Sequence, residues 1–290
     1  KKMKHYSSHF MKFALAATAA LLFCVPATAE TYWARGVSAN GGWHDAAKTW
    51  SGDSQMCWAA SASNILWWWQ DKFAIPNNVP NGTGIWDYVR TSFPDTTGTQ
   101  DSVYKMWFDG NGTKGGFYKN RTGFKLGSPD YKVTDISVQG FSTYGITAQR
   151  LSDMVKTKFE NGWGLSIGVT EKTAKNYQHA ITVWGAELTN GILSKIWITD
   201  SDDFYNGLVA CDIEVKDNNF YLKPSYYSGK GNSFFSAGNS YYIHKYVWLD
   251  SNAAFLPQIP EPSAFGLLAG TAALALAGMR RRKRNTTRQP

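Results

Sequence analysis

The amino-acid sequence predicts an α+β fold, with a helix early in the chain and antiparallel strands late in it. The early helix is expected over residues 57–72, ahead of Pro76. Three later segments are rich in β-branched and aromatic residues and are predicted to be strands: 164–170, 179–188 and 192–202. Asn190 and Gly191 separate the last two segments, and this dipeptide is a strong signal for a two-residue hairpin turn.

The other elements follow from local sequence patterns. Residues 31–50 alternate aromatic and turn-forming residues, which indicates irregular structure with short strands. The stretch 76–135 is rich in Gly, Asn, Asp and Thr and predicts long loops, with one short helix near 85–92. Apolar residues recur at helical spacing over 147–161, which predicts a further helix, and 240–250 is expected to be the last strand.

The first 29 residues have the features of a secretory signal peptide with a short upstream extension. The stretch MKFALAATAALLFCVPATAE, residues 11–30, contains a lysine, an apolar run and a small-residue cleavage site. Cleavage is expected after Ala29. Residues 30–255 would then form the folded domain, and that domain is expected to be exported.

Residues 256–290 have the features of a sorting tail. The motif Pro-Glu-Pro at 260–262 precedes an uncharged helix expected over 263–279 and a basic cluster at 280–284. As a helix the uncharged segment would be about 25 Å long, against a bilayer core of about 30 Å. The order of the three parts resembles the bacterial PEP-CTERM sorting signal. That resemblance implies recognition by an exosortase-type enzyme and a cell-surface or extracellular location; a simple membrane anchor is the alternative.

The charge of the chain does not indicate nucleic-acid binding. The formal net charge of +8 comes from the two ends, and the part between them carries 20 basic and 21 acidic residues. A near-neutral domain lacks the excess of positive charge that binds phosphate backbones.

Cys57 is the cysteine whose position suggests chemistry. Cys24 falls in the signal peptide, which leaves Cys57 and Cys211, and a disulfide between them is one option in an oxidising compartment. Cys57, however, begins the predicted helix, where free N–H groups and partial positive charge favour a thiolate. A buried structural cysteine is the alternative.

The predicted hairpin brings a histidine beside two carboxylates. With Asn190 and Gly191 as its loop, His179 would face Asp202, and Asp200 would lie diagonally from it on the same side of the sheet. An imidazole held by a carboxylate is the base half of a Cys-His-Asp triad. The alternatives are that the TDSDD segment is only a turn and that His179 is structural. His44 and His244 are rival bases and are interpreted as structural.

Two blocks of the chain resemble a known family. GWHDAAKTWSGDSQMCWAASASNILWWW and HAITVWGAELTNGILSKIWITDSDD are similar to the streptococcal immunoglobulin-degrading cysteine proteases of the IdeS/Mac type. The resemblance implies a papain-like fold, with the nucleophile at a helix N-terminus and the histidine and aspartate on an antiparallel sheet. It further implies a role for each of five residues: Cys57 as nucleophile, His179 as base, Asp200 orienting the histidine, Asp202 supporting the site, and Lys48 in the oxyanion hole.

Two details of the site stay open from the sequence alone. The hairpin register favours Asp202 as the direct partner of His179, whereas the resemblance gives that role to Asp200. Lys48 precedes Cys57 by nine residues, one fewer than the resemblance suggests. Gln55, the alternative oxyanion donor, is close to the cysteine in sequence.

The function expected from these features is that of a secreted or cell-surface cysteine endopeptidase that cleaves a protein or peptide substrate through a thioester. No cofactor is expected, and no metal either, because DGNG at 109–112 lacks the carboxylates of an EF-hand. One alternative is a non-catalytic extracellular carbohydrate- or matrix-binding protein, in keeping with 15% aromatic residues. Another is a thiol amidase or transglutaminase that acts on cell-wall peptides. Whether an antibody is a substrate is left open.

Three consecutive tryptophans, Trp67, Trp68 and Trp69, lie inside the first predicted helix. Successive helix residues are about 100° apart, so the three rings cannot share one face. Packing in the core and between lobes is favoured over ligand stacking. Asn64 lies two turns from Cys57 on the same face and is expected to pack there or to support the site.

Overall fold

The computed structural model describes residues 28–72, 77–119, 133–137, 147–171, 178–203, 205–217, 219–223 and 241–249. The predicted signal peptide lies outside this part of the chain except for its last two residues, and the predicted sorting tail lies outside it entirely. Both stay predictions, as does export. Within the described ranges, none of the helices has the length and apolar character needed to cross a bilayer.

Four helices and eight strands make up the described fold. The helices are α1 (Cys57–Gln70), α2 (Thr83–Ser92), α3 (Gln100–Asp109) and α4 (Ala148–Glu160). The strands are β1 (Ala29–Trp33), β2 (Val133–Ser137), β3 (Gly164–Glu171), β4 (Gln178–Thr189), β5 (Ile192–Thr199), β6 (Val209–Lys216), β7 (Asn219–Lys223) and β8 (Tyr241–Leu249). Helix α3 falls in the stretch expected to form loops, and that expectation is wrong there: Val103, Tyr104, Met106, Trp107 and Phe108 are buried on it.

All strand pairs in the sheet are antiparallel, and the strand order is β1-β4-β3-β8-β7-β6-β5, with β2 on β8. Strands β4 and β5 also pair with each other, so six strands from β3 to β8 form a closed ring of pairs. Closing a sheet removes exposed edges, which lowers the tendency to pair with other chains.

Helix α1 packs against this sheet and is the centre of the helical layer. It contacts β3 and β4 on one side and α2 and α3 on the other. Twelve of its fourteen residues are buried, as expected for a helix with apolar residues on every face. Trp68 and Trp69 are fully buried, whereas Trp67 is half-buried and stacks on His44 with ring centroids 4.1 Å apart. The helix therefore holds Cys57, its first residue, at a fixed place over β4.

The hairpin of β4 and β5 contains two irregularities. Thr189 pairs with Ile192 across the turn, the register shifts between Glu187 and Leu188, and it shifts again between Val183 and Gly185. The two bulges compensate, because Thr182 pairs with Thr199, the register that an unbroken two-residue hairpin would give. Strand β5 ends at Thr199, so Asp200 to Asp202 lie in a turn beside the start of β4.

The described architecture replaces the expected papain-like fold. A continuous antiparallel sheet, closed through the β4–β5 pair and covered by α1, is what the structure establishes. The papain-like assignment rested on two short blocks of similarity, and these carry the site residues rather than the strand order. Strands β4 and β5 lie in the second block, whereas β3, β6, β7 and β8, which complete the ring, lie outside both blocks.

Candidate functional site

Cys57 is the first residue of α1, and its position follows from the loop that precedes the helix. The Asp95 carboxylate accepts hydrogen bonds from the Ser54 hydroxyl (2.9 Å) and the Gln55 backbone N–H (2.7 Å). The Asp53 carboxylate accepts two more from Thr49. These contacts fix the chain at the point where it enters the helix. The start of an α-helix has unpaired N–H groups and a partial positive charge, and Cys57 lies at this end of α1.

His179 lies near the start of β4 and contacts the turn after β5. Its Nε2 is 2.6 Å from Asp200 Oδ1, and its Nδ1 is 3.7 Å from Asp202 Oδ2. The Asp202 backbone N–H donates to the same Asp200 oxygen at 3.0 Å. Asp200 is therefore the direct partner of the imidazole, not Asp202 as the hairpin register favoured, because Asp200 begins a turn and its side chain reaches diagonally to the ring.

Cys57 and His179 alter the proton affinity of each other. Burial alone would raise the pKa of the Cys57 thiol, but the positive charge of His179 and a hydrogen bond from its ring hold that pKa below its usual value. Burial likewise works against a charged His179, yet Asp200, Asp202 and the Cys57 thiolate together raise its pKa well above the usual value. Asp200 engages Nε2, so we assign the hydrogen bond between the ring and the thiol to Nδ1. This arrangement favours a thiolate–imidazolium pair.

Lys48 lies in the same site, where its ammonium forms an ion pair with Asp202. Its Nζ is 2.5 Å from Asp202 Oδ1 and donates to the Ser54 carbonyl at 2.7 Å. The side chain is 1% exposed, and its ammonium also lies 4.4 Å from the centre of the Trp50 ring. The two contacts use two of the three ammonium protons, which leaves one for a group in the cavity. Asp202 thus links Lys48 to the histidine.

Asn64 supports the loop that carries Lys48. Its Oδ1 accepts a hydrogen bond from the Ala46 backbone N–H at 2.7 Å, and its Nδ2 donates to Thr182 Oγ1 at 3.1 Å. The side chain is 1% exposed, so both bonds form away from water. A single buried amide therefore connects α1, the Lys48 loop and β4.

Two further acids lie behind the site. Burial, followed by repulsion from Asp203 and Asp200, raises the pKa of Asp45 to about 8. Burial and repulsion from Asp200 raise the pKa of Asp203 to about 7. One carboxylate oxygen of each is buried without a hydrogen-bond partner in the described residues. Burial and the crowding of carboxyl groups behind the site therefore favour the protonated forms of Asp45 and Asp203.

A cavity of about 430 Å³ opens beside the thiol. Lys48, Cys57, His179 and Asp202 line it, and Asp200 lies behind His179. The structure therefore brings together all five residues predicted to form the site. Gln55 also lines the cavity, so both candidate oxyanion donors border the same space.

Several residues on the cavity wall are not predicted from the sequence. The sequence favours a structural role for His244 and gives no signal for Lys245, Gln178 or Gln100, yet all four line the cavity. The sequence of β8 carries no signal for this, because a strand alternates its side chains between faces. His44, the other rival base, bonds Asp71 at 2.5 Å, stacks on Trp67 and does not line the cavity.

Cys211 does not line the cavity and lies outside the site. It is fully buried on β6 and, like Cys57, is a free thiol. Burial, with repulsion from Asp200 and Asp212, raises its pKa above the usual value. The optional disulfide between the two cysteines is not formed.

His179, Asp200 and Asp202 are close enough to be considered as metal ligands, with one ligand atom from each lying within 4.8 Å of the others. The ammonium of Lys48, however, occupies one oxygen of Asp202, and Nε2 of His179 is already bonded to Asp200. A cation would have to displace both partners. The set is better suited to proton transfer and charge stabilisation than to metal binding.

The chain matches the family described as Mac 1 over residues 114–220. The matched segment includes His179, Asp200 and Asp202 but not Cys57 or Lys48, and it is less than half of the chain. The description is a name that states neither a fold nor an activity, so similarity to this family does not establish membership. Among curated proteins, none matches the chain.

This result corrects the family and the activity expected from the sequence. A match that omits Cys57 does not uphold the assignment to immunoglobulin-degrading cysteine proteases, nor the endopeptidase activity drawn from it. The binding-protein and cell-wall amidase alternatives gain no support either. The same holds for the partners named with them: a protein or peptide substrate, the exosortase-type enzyme, and the membrane. The geometry of the site is therefore the basis for assigning a function.

Proposed function

We propose that this protein catalyses acyl transfer through a covalent thioester on Cys57. The observation that carries the proposal is the arrangement of Cys57, His179 and Asp200, in which a helix-terminal thiol meets an imidazole bonded to a buried carboxylate. The pKa of the thiol is lowered and that of the imidazole is raised, which is the condition for a thiolate nucleophile at neutral pH.

The chemistry of each step follows from these positions. The Cys57 thiolate attacks a carbonyl carbon, and the electron pair moves to the carbonyl oxygen. The backbone N–H of Cys57 at the start of α1 and an ammonium proton of Lys48 stabilise that oxyanion. Protonated His179 gives its proton to the leaving group as the bond to it breaks, and the thioester forms.

The second half of the cycle returns the enzyme to its starting state. Neutral His179 takes a proton from the acceptor, which is water or another nucleophile, as the acceptor attacks the thioester. The sulfur leaves as thiolate, and the imidazolium pairs with it again. Asp200 fixes the ring and stabilises its positive charge throughout.

A trapping experiment tests this proposal. The full chain is incubated with p-nitrophenyl acetate, and acetylation of Cys57 is measured by mass spectrometry. Replacing His179 by Ala is expected to slow acetylation by about 10²-fold or more. A Cys211→Ala variant is the matched control and is expected to acetylate at the wild-type rate, because Cys211 is buried elsewhere in the fold. Acetylation that ignores His179 would contradict the proposal.

A further inference from the structure

The cavity beside Cys57 has a second set of lining residues that the proposed chemistry does not use. Thr99 and Gln100 lie at the start of α3, and His244 and Lys245 lie on β8. Groups that share a cavity with a nucleophile but take no part in bond making are placed to bind the rest of the substrate.

A β-bulge directs two neighbouring side chains of β8 into the cavity. In a regular strand, His244 and Lys245 would point to opposite faces of the sheet. Gly168 pairs with Lys245, but Val169 pairs with Ile243, so His244 is the extra residue of a bulge. The bulge gives both side chains access to the cavity, and bulges of this kind occur next to active sites, where they redirect a side chain.

Two polar side chains on this wall have no hydrogen-bond partner among the described residues. Gln100 is 3% exposed, and its amide bonds to nothing in that part of the chain. His244 Nε2 is buried and likewise has no partner there. A buried polar group without a partner costs free energy, so such groups are kept where a ligand satisfies them.

The charges on this wall favour an anion. Helix α3 has ten residues, and no side chain caps its N-terminus, so its first N–H groups carry partial positive charge toward the cavity. Lys245 adds a cation. Asp101, in the first turn of the helix, pairs with Lys105 at 3.2 Å and also attracts Lys245, but it does not line the cavity, where the ammonium of Lys245 can still face a ligand. Asp202 does line it, but that carboxylate is neutralised by Lys48.

We infer that this wall binds a carboxylate of the substrate, so that Cys57 acts on acyl compounds with a carboxylate near the reacting carbonyl. Lys245 and the first turn of α3 face the negative charge, while Gln100 and His244 donate hydrogen bonds to its oxygens. The inference rests on the proposed function, since it places this carboxylate beside the carbonyl that Cys57 attacks.

Two alkylating reagents that differ only in charge test the inference. Iodoacetate carries a carboxylate one bond from the reacting carbon, and iodoacetamide carries a neutral amide in its place. The rate constants for alkylation of Cys57 in the full chain are measured with both, and the quotient of the iodoacetate rate over the iodoacetamide rate is compared between variants. His179 is kept in every variant, so its charge contributes equally to each quotient.

The wall predicts which variants lower that quotient. Lys245→Met and Gln100→Leu are each expected to lower it by about three- to ten-fold, the size of a partly exposed charge or hydrogen-bond contribution. Lys223→Met removes an exposed lysine paired with Glu214 and is the matched control, which leaves the quotient unchanged. A quotient that stays the same in both wall variants overturns the inference.

The two proposals fail in different ways. If iodoacetamide labels Cys57 slowly and without dependence on His179, the proposed thiol chemistry is wrong. The wall is then tested without the thiol, by titrating the Cys57→Ala protein with sodium succinate against sodium chloride of equal ionic strength in a calorimeter. Saturable heat that Lys245→Met abolishes supports the carboxylate site, and heat that this variant leaves unchanged overturns it.

Discussion

Lys48 and Asp202 form a buried ion pair, with Nζ 2.5 Å from Oδ1. The same carboxylate lies 3.7 Å from Nδ1 of His179, so it interacts with both the Lys48 ammonium and the imidazole. Asp200 serves the other edge of the imidazole at 2.6 Å. Two carboxylates therefore lie beside two basic side chains in a region almost without solvent. The Cys57 thiol lies next to these four charged groups.

The ion pair has a consequence for stability. Lys48→Met is expected to lower the free energy of unfolding by about 3–5 kcal/mol, because it leaves the Asp202 carboxylate buried without its cation. The double variant Lys48→Met with Asp202→Asn is expected to recover part of that loss. Urea denaturation of the single variants and the double variant measures the effect, and additive losses would contradict a direct pair.

The two aspartates are expected to differ in their effect on the thiol. Asp200→Asn removes the bond to Nε2, so the pKa of His179 falls and that of Cys57 rises toward its usual value. Alkylation of Cys57 at neutral pH is then expected to slow by at least about tenfold. Asp202→Asn is expected to slow it less, since Asp202 is farther from the ring. Thiolate absorbance followed against pH checks both variants; equal effects would contradict the assignment.

Asn64 is expected to act on stability and on the site together. Asn64→Ala removes the acceptor for the Ala46 N–H and the donor to Thr182, which is expected to cost about 1–3 kcal/mol. The Lys48 loop loses its tie to α1, so acylation of Cys57 is also expected to slow. Asn161→Ala is the control, because Asn161 is exposed and bonds only within the end of α4. If Asn64→Ala lowers the free energy of unfolding but leaves the acylation rate of Cys57 unchanged, Asn64 contributes to packing and not to the site.

The acids behind the site predict a dependence of stability on pH. The pKa of Asp45 is raised from 3.8 to about 8 in the fold. Its protonated form is thus favoured by folding, so the stability it contributes is fully present below the unfolded pKa of 3.8, falls as the pH rises above that value, and is lost once the pH passes about 8. The free energy of unfolding of the wild type is expected to fall from about pH 4 to about pH 8 more steeply than that of Asp45→Asn, and to run parallel to it above that range. Parallel curves for the two proteins would show that Asp45 is not held protonated.

The sequence is informative where local patterns determine structure. The start of α1 at Cys57 follows from small residues after a loop, and the β4–β5 hairpin follows from its Asn-Gly dipeptide. The hairpin pattern by itself predicts that His179, Asp200 and Asp202 lie near one another, and the structure agrees. Such patterns need only short-range geometry.

Other features depend on contacts between distant segments and cannot be predicted from local patterns. Helix α3 has few apolar residues at regular spacing in its first turn, and it forms because its aromatic residues pack on α1. The bulge at His244 depends on pairing with β3. Which aspartate bonds the imidazole of His179 depends on where β5 ends and on which carboxylate forms the ion pair with Lys48. None of these features can be predicted from the residue pattern of a single strand.

The central claim is that Cys57 and His179 form a thiolate–imidazolium pair, and the most direct test is the pH dependence of Cys57 alkylation by iodoacetamide. The full-length wild type and the His179→Ala variant are compared, with Cys211→Ala as control. The wild type is expected to react at a constant rate down to a pH below the usual thiol pKa, because His179 lowers the pKa of Cys57. In His179→Ala the rate is expected to fall and its midpoint to move up. Identical profiles with a midpoint at the usual thiol pKa would show that Cys57 is an ordinary cysteine, and would contradict the account.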